Sequence, residues 1–218
     1  MEMTGYWLGM AATVAFAVTA VLAVAPRGVD LFGVIVLGLI TAIGGGTVRD
    51  LILDVPVFWA EDQTYLWVGI AASTAAFFAQ SWFSRARMFR LMLYLDGLGA
   101  ALFAIEAVQK AWGLGFGLPL VPILLGVVTA IGGGLIRDVL AGRPTLLMSR
   151  EIYAIPVLIG CMLHAVVLSS WPDAGAGVAV ALVILTFSFR AAAIRWGLRV
   201  PAWLTTTRAN DRCKEQLE

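Results

Sequence analysis

The sequence predicts an all-α membrane protein: seven transmembrane helices, arranged as two inverted three-helix repeats plus a seventh helix. Three observations predict it. Of the 218 residues, 61% are hydrophobic and only 13% are charged, and the mean hydropathy is +0.90; a soluble domain is nearer one half apolar and one quarter charged. The apolar residues fall into runs close to the length, about 20 residues, that a helix needs to cross a bilayer. Finally, the stretch TAIGGGTVRD at Thr41–Asp50 returns as TAIGGGLIRD at Thr129–Asp138.

The spans follow in order as Trp7–Ala25, Leu31–Leu53, Tyr65–Phe83, Leu91–Val108, Leu118–Leu140, Ile152–Trp171 and Ala174–Arg190. The connections between them are short and polar (APRGVD, DVPVFWAEDQT, SRARMFR), so residues 1–196 form one membrane domain and 197–218 a tail. Helices are expected because lipid offers no partner to a backbone N–H or C=O, so each must be bonded within its own segment. The first span lacks a preceding basic region and is long enough to cross, so it reads as a helix rather than a cleaved signal. Gly113, Gly115 and Gly117 lie between two apolar runs and read as a loop.

Counting Lys and Arg in alternate connections orients the chain. One side receives thirteen of the fifteen, among them Arg85, Arg87 and Arg90, while the other receives only Arg49 and Lys110. This predicts the N-terminus outside and the C-terminus, with its tail, in the cytoplasm. The net charge of +1 gives no ground for a nucleic-acid partner, and none is expected. The basic cluster Arg85, Arg87 and Arg90 suits anionic lipid headgroups, although the orientation rule alone accounts for it.

The repeat has a fixed offset of 88 positions: Gly9 answers Gly97, Gly38 answers Gly126, Pro56 answers Pro144 and Tyr65 answers Tyr153. Each copy (about 7–83 and 91–171) contains three spans. An odd number inverts the second copy, an arrangement that places binding or permeation sites near mid-membrane, at helices interrupted by glycine. Gly44, Gly45 and Gly46, with Gly132, Gly133 and Gly134, are those interruptions. Three glycines weaken a helix by roughly 1 kcal/mol each relative to alanine, so a kinked or unwound turn lining a pathway is expected, with freed carbonyls beside Thr41 and Thr129. Close helix packing on small residues is the alternative use of such a triplet.

Arg49-Asp50 and Arg137-Asp138 follow each triplet about 5 Å farther along the helix, at a depth where charge is costly and needs a partner. Adjacent residues on a helix do not face each other, so the partners are expected on another helix. The fourth span carries the carboxylates Asp96 and Glu106 within an apolar run. The expected contacts are Asp96–Arg137 and Glu106–Arg49, at the two mouths of one aqueous path. Asp96 answers Leu8 in the first repeat, so the symmetry breaks there, where a gate is expected.

His164 lies in the sixth span and reads as a packing or hydrogen-bonding residue, with a proton relay as the alternative. Tyr6, Trp7, Trp59, Tyr65 and Trp171 read as interfacial anchors. Cys161 and Cys213 have no disulfide or metal spacing, no catalytic or nucleotide-binding motif is present, and neither cofactor nor metal is expected.

The doubled AIGGG…RD signature within seven spans resembles the prokaryotic members of the trimeric intracellular cation (TRIC) channel family. The resemblance covers Trp7 to about Arg190. It implies no enzyme but a homotrimer in which each subunit carries its own pore for K⁺ and also Na⁺, placed in the inner membrane, with the glycine-bearing spans lining that pore. The Lys-Glu-Val lipid motif of animal members has no match, since Arg137 begins Arg-Asp-Val. Two further readings use the same elements: a carrier for a small zwitterion such as glycine, and a non-conducting scaffold.

Overall fold

The computed structural model describes residues 2–82, 84–149, 151–172 and 175–201. These hold eight α-helices: α1 Glu2–Val24, α2 Leu31–Ile52, α3 Phe58–Glu61, α4 Thr64–Ala79, α5 Arg85–Gly113, α6 Leu120–Leu140, α7 Ala154–Ser170 and α8 Ala176–Trp196. Seven are the expected spans; α3 is a single turn within the connection after α2. Of the seven, α1, α2, α5, α6 and α8 are long and apolar enough to cross a membrane. With 16 and 17 residues, α4 and α7 reach only about 24–26 Å at 1.5 Å per residue. They are the third members of their repeats, so the shortfall is itself symmetric.

Some boundaries differ from the sequence reading. The third span ends in a 3₁₀ turn, Gln80–Trp82, and Phe83 lies outside the described residues, as do Arg150, Ala174 and most of the tail, Cys213 included. Arg85, Arg87 and Arg90 stand on the first turns of α5 rather than in a connection. The last helix runs past the expected span end at Arg190 to Trp196, so Arg195 also stands on α8.

Packing follows the repeat. In each half the three helices touch one another: α1, α2 and α4, then α5, α6 and α7. The halves join through equivalent helices, α1 on α5 and α2 on α6, while α8 lies outside against α5 and α7. The central pair is α1 and α5, whose spans are 78% and 72% buried against 33% for α2. Their contact faces are small, with Ala12, Ala17, Ala20, Ala100, Ala101, Ala104 and Ala107 all buried. Small side chains let backbones approach where lipid supplies no hydrophobic drive between helices. The stacked rings of Phe16 and Phe103, with centroids 5.7 Å apart, fill the centre.

The offset of 88 recurs in atomic detail. A Cβ on Gly38 would strike the Ser73 hydroxyl, and one on Gly126 would lie 2.7 Å from Cys161 Sγ; these notches seat α4 on α2 and α7 on α6. The ends of α2 and α6 are also alike. Asp50 Oδ2 accepts from the Phe58 amide at 2.9 Å, and Asp138 Oδ2 from the Leu146 amide at 3.1 Å. Just before each of these anchors the chain turns through a left-handed residue, Asp54 (φ 54°) and Gly142 (φ 55°). Glycine is free to adopt that conformation, and aspartate is among the residues that tolerate it.

Candidate functional site

The two glycine triplets meet. A Cβ on Gly45 would collide with the carbonyl oxygen of Thr129, and one on Gly133 with the carbonyl oxygen of Thr41; a Cβ on Gly132 would stand 3.4 Å from Gly45 Cα. Only a hydrogen at these α-carbons lets α2 and α6 cross so closely. The expected unwound turn is absent: both helices run as continuous α-helix through Gly44–Gly46 and Gly132–Gly134. Helix propensity is a weak bias that tertiary packing overrides, and here the missing side chains serve backbone contact. Gly46 makes room for the Phe58 ring, with 2.6 Å from a Cβ to its Cε1, and Gly134 for Asp96, with 3.0 Å to Oδ1. A Cβ on Gly44 would meet Ile136 at 2.9 Å. Thr41 donates to the Leu37 carbonyl at 2.7 Å, whereas the enclosed Thr129 hydroxyl has no partner among the described residues.

Two charge networks flank the crossing. In the first, Arg49 Nε donates to Asp50 Oδ1 at 2.7 Å, Arg49 Nη1 bonds Glu106 Oε2, and Lys110 Nζ lies 2.8 Å from Asp50 Oδ1. Two cations meet two carboxylates. In the second, Arg137 Nη1 donates to Asp96 Oδ1 at 2.8 Å and to Thr19 Oγ1 at 2.9 Å, while Nε donates to Asp138 Oδ1 at 3.0 Å. One cation meets two carboxylates, leaving an excess negative charge.

Both expected inter-helix contacts are therefore made, but two expectations are corrected. Each arginine also bonds the aspartate next to it, because its long stem folds back and its Nε reaches the neighbouring carboxylate; the rule against adjacent contacts holds for shorter groups. The Asp96–Arg137 pair is not at an open mouth, since both residues are fully enclosed. Thr19 of α1 and the Tyr153 region close over it, and its counterpart Leu8 is buried as well. The Glu106 end opens into a 430 Å³ vestibule lined by Tyr6, Val55, Glu106, Gln109, Lys110 and Leu114.

The opposite end of the bundle is basic. A 190 Å³ cavity there is lined by Arg27, Arg85 and Arg143 with Met88 and Phe89. Arg27 bonds the carbonyls of Ala141 and Gly142 at the end of α6, and Arg143 donates to the Ala23 carbonyl at 3.0 Å. Arg87 and Arg90 are exposed beside it.

Five participants were missed or misread in the sequence. Lys110 stands one turn after Glu106, a legible i, i+4 spacing. Tyr65 and Tyr153 are matched in the repeat and both buried, so Tyr65 is not the expected interfacial anchor, whereas Trp7 and Trp171 are well exposed. Arg190 is 2% exposed and lies over the Tyr153 ring at 5.1 Å, donating to the Ile152 carbonyl at 3.0 Å and to Glu151 at 3.2 Å. Its position at a span end made it look like one more orienting charge. Thr19 gave no signal.

Comparison with known proteins places this geometry. Residues 6–81 and 93–169, the two repeats, match a family model described as glycine transporter. The chain is 38% identical over 199 residues to the inner membrane protein YadS (UPF0126) of Escherichia coli strain K12, covering 91% of this chain and 95% of that one. A UPF0126 membrane protein of Vibrio cholerae is 36% identical over 202 residues, covering 92% of this chain and 83% of its own. Among solved structures, the TRIC trimeric intracellular cation channel orthologue from Rhodobacter sphaeroides superimposes with a TM-score of 0.83 at 34% identity, covering 91% of this chain and all of that one. With its sequence, its repeat and its fold all matched, the chain belongs to the prokaryotic TRIC channel family.

Proposed function

We propose that this protein is a passive channel for monovalent cations, K⁺ and also Na⁺, acting as a homotrimer with one pathway inside each subunit. Its similarity to the solved TRIC cation channels supports the class of function. One observation carries the reading further. Fixed arginines in a route would repel cations, yet Arg49 is bonded to Asp50 and Glu106, and Arg137 to Asp138 and Asp96. No bare positive charge faces the cargo, and the second network leaves one carboxylate in excess.

The route in this reading runs from the Glu106 vestibule, past the contact of Gly45 with Thr129 and Gly133 with Thr41, to the Asp96–Arg137 network. In this reading the contact of α2 with α6 at that crossing holds the route closed, and conduction needs the two helices to part. Gly44, Gly46, Gly132 and Gly134 are the positions at which they can slide or bend without dragging side chains through one another. The N-terminus is placed outside and the C-terminus in the cytoplasm of the inner membrane by the Lys and Arg count. The arginine-rich end, with Arg85, Arg87 and Arg90 on α5, then faces anionic headgroups of the inner leaflet.

The test is planar-bilayer recording of purified protein with K⁺ and then with Na⁺. Unitary currents in both support the reading. Saturable glycine flux without unitary currents would replace it with a carrier, and neither signal would leave a scaffold.

A further inference from the structure

We propose a binding site for a single water molecule between α5, α7 and α8, formed by His164, Gln109 and the opening turn of α8. A cavity of about 10 Å³ lies there, lined by Gln109, His164, Leu168, Gly175, Ala176 and Val178. Two of its lining residues each carry an enclosed polar atom without a hydrogen-bond partner among the described residues: Nδ1 of His164 and Oε1 of Gln109. His164 is only 3% exposed, so bulk water does not solvate its ring.

The third wall is the start of α8, whose N-cap residue, Gly175, makes no side-chain cap bond. The first amides of any helix lack an intrahelical carbonyl, and Ala176 carries one of them on the cavity wall. Buried polar atoms are nearly always paired, and here the three groups are complementary to one small molecule. A water accepts from an α8 amide and donates one proton to His164 Nδ1 and the other to Gln109 Oε1. Three bonds is the usual number for a buried water, and about one probe sphere of volume is what it needs. Chloride, a hydrated cation or a lipid headgroup exceeds the space.

The arrangement has two consequences. His164 is held neutral with its proton on Nε2, because Nδ1 must accept. And α8, the helix outside the repeat, is tied to α5 at the residue that also lines the vestibule, since Gln109 borders both cavities. The water therefore sits directly behind the vestibule wall that carries Glu106 and Lys110.

His164 is the only histidine of the chain, so nitrogen-15 NMR of the protein in lipid bilayers reads it without ambiguity. The expected spectrum is a neutral Nε2–H tautomer with a cross-peak from the ring to a slowly exchanging water, lost in Gln109→Leu. A Nδ1–H tautomer, no water cross-peak in the unsubstituted protein, or a cross-peak that survives Gln109→Leu overturns the proposal. A structure at about 2 Å gives an independent reading: one solvent peak within about 3.2 Å of both side chains is expected. A dry cavity, or a Gln109 amide turned to bond His164 directly, refutes it.

Discussion

Gly45 lies so close to Thr129 that a Cβ there would clash with the Thr129 carbonyl oxygen, and the repeat imposes the same contact on Gly133 and Thr41. The α2–α6 crossing is thus a backbone-to-backbone contact around the inversion axis. Gly45→Ala and Gly133→Ala should each destabilise the protein by about 1–3 kcal/mol, the usual cost of overpacking. Thermal unfolding in detergent measures this, with Gly177→Ala as the control. Gly177 is inside α8 with open space around it, so its substitution should be neutral or stabilising by up to about 1 kcal/mol.

The enclosed Asp96–Arg137 pair should behave as a unit. Removing Arg137 leaves two enclosed carboxylates uncompensated, at about 3–5 kcal/mol, whereas removing the Asp96 charge leaves Arg137 balanced by Asp138. Arg137→Gln should be strongly destabilising and Asp96→Asn less so, and the double variant should cost less than the two added together. Chemical denaturation of the four proteins of this cycle measures the coupling, expected at about 1–3 kcal/mol. Strict additivity would mean that the contact carries no energy.

At the vestibule the sign of the charge decides the outcome. Arg49, Asp50, Glu106 and Lys110 balance as found. Glu106→Gln leaves the network at +1 and should lower K⁺ conductance, while Lys110→Gln leaves it at −1 and should raise it, each by about two- to fivefold at low salt. Both effects should fade at 1 M KCl, where screening shortens to about 3 Å. Lys110 is partly exposed, at 28%, so its loss should cost little stability, about 1 kcal/mol or less.

Arg190 and Gly97 form a coupled pair. A Cβ on Gly97 would stand 2.7 Å from Arg190 Cγ, so Gly97 is the notch through which α8 inserts its arginine over the Tyr153 ring. Arg190→Ala should cost about 2 kcal/mol through lost hydrogen bonds of a charged donor. Gly97→Ala should cost about as much alone and close to nothing in the Arg190→Ala background, since the clash then has no object. Melting temperatures of the three variants check this.

Much of this was legible in the sequence because the bilayer restricts the solutions. Span positions followed from hydropathy, and the inverted repeat from an offset of 88 that recurs in contacts as local as Asp50 with Phe58 and Asp138 with Leu146. The pairing of Arg137 with Asp96, and of Arg49 with Glu106, followed from the cost of charge in lipid. The continuity of α2 and α6 did not. Gly45 and Gly133 announce only that side chains are missing, and a missing side chain serves an unwound turn and a tight crossing equally well. Arg190 was misread because a charge at a span end looks the same whether it snorkels outward or folds in over Tyr153. Tyr65 was taken for an anchor because its burial against Phe58 and Tyr6 depends on α3, a helix too short to show in the pattern.

Single-channel recording of the reconstituted protein in symmetrical KCl tests the central claim most directly, because one pathway per subunit fixes how current must divide. Up to three equal, independent conductance levels from one inserted complex are predicted. One indivisible level, or no unitary current at all, would contradict a pathway enclosed in each subunit.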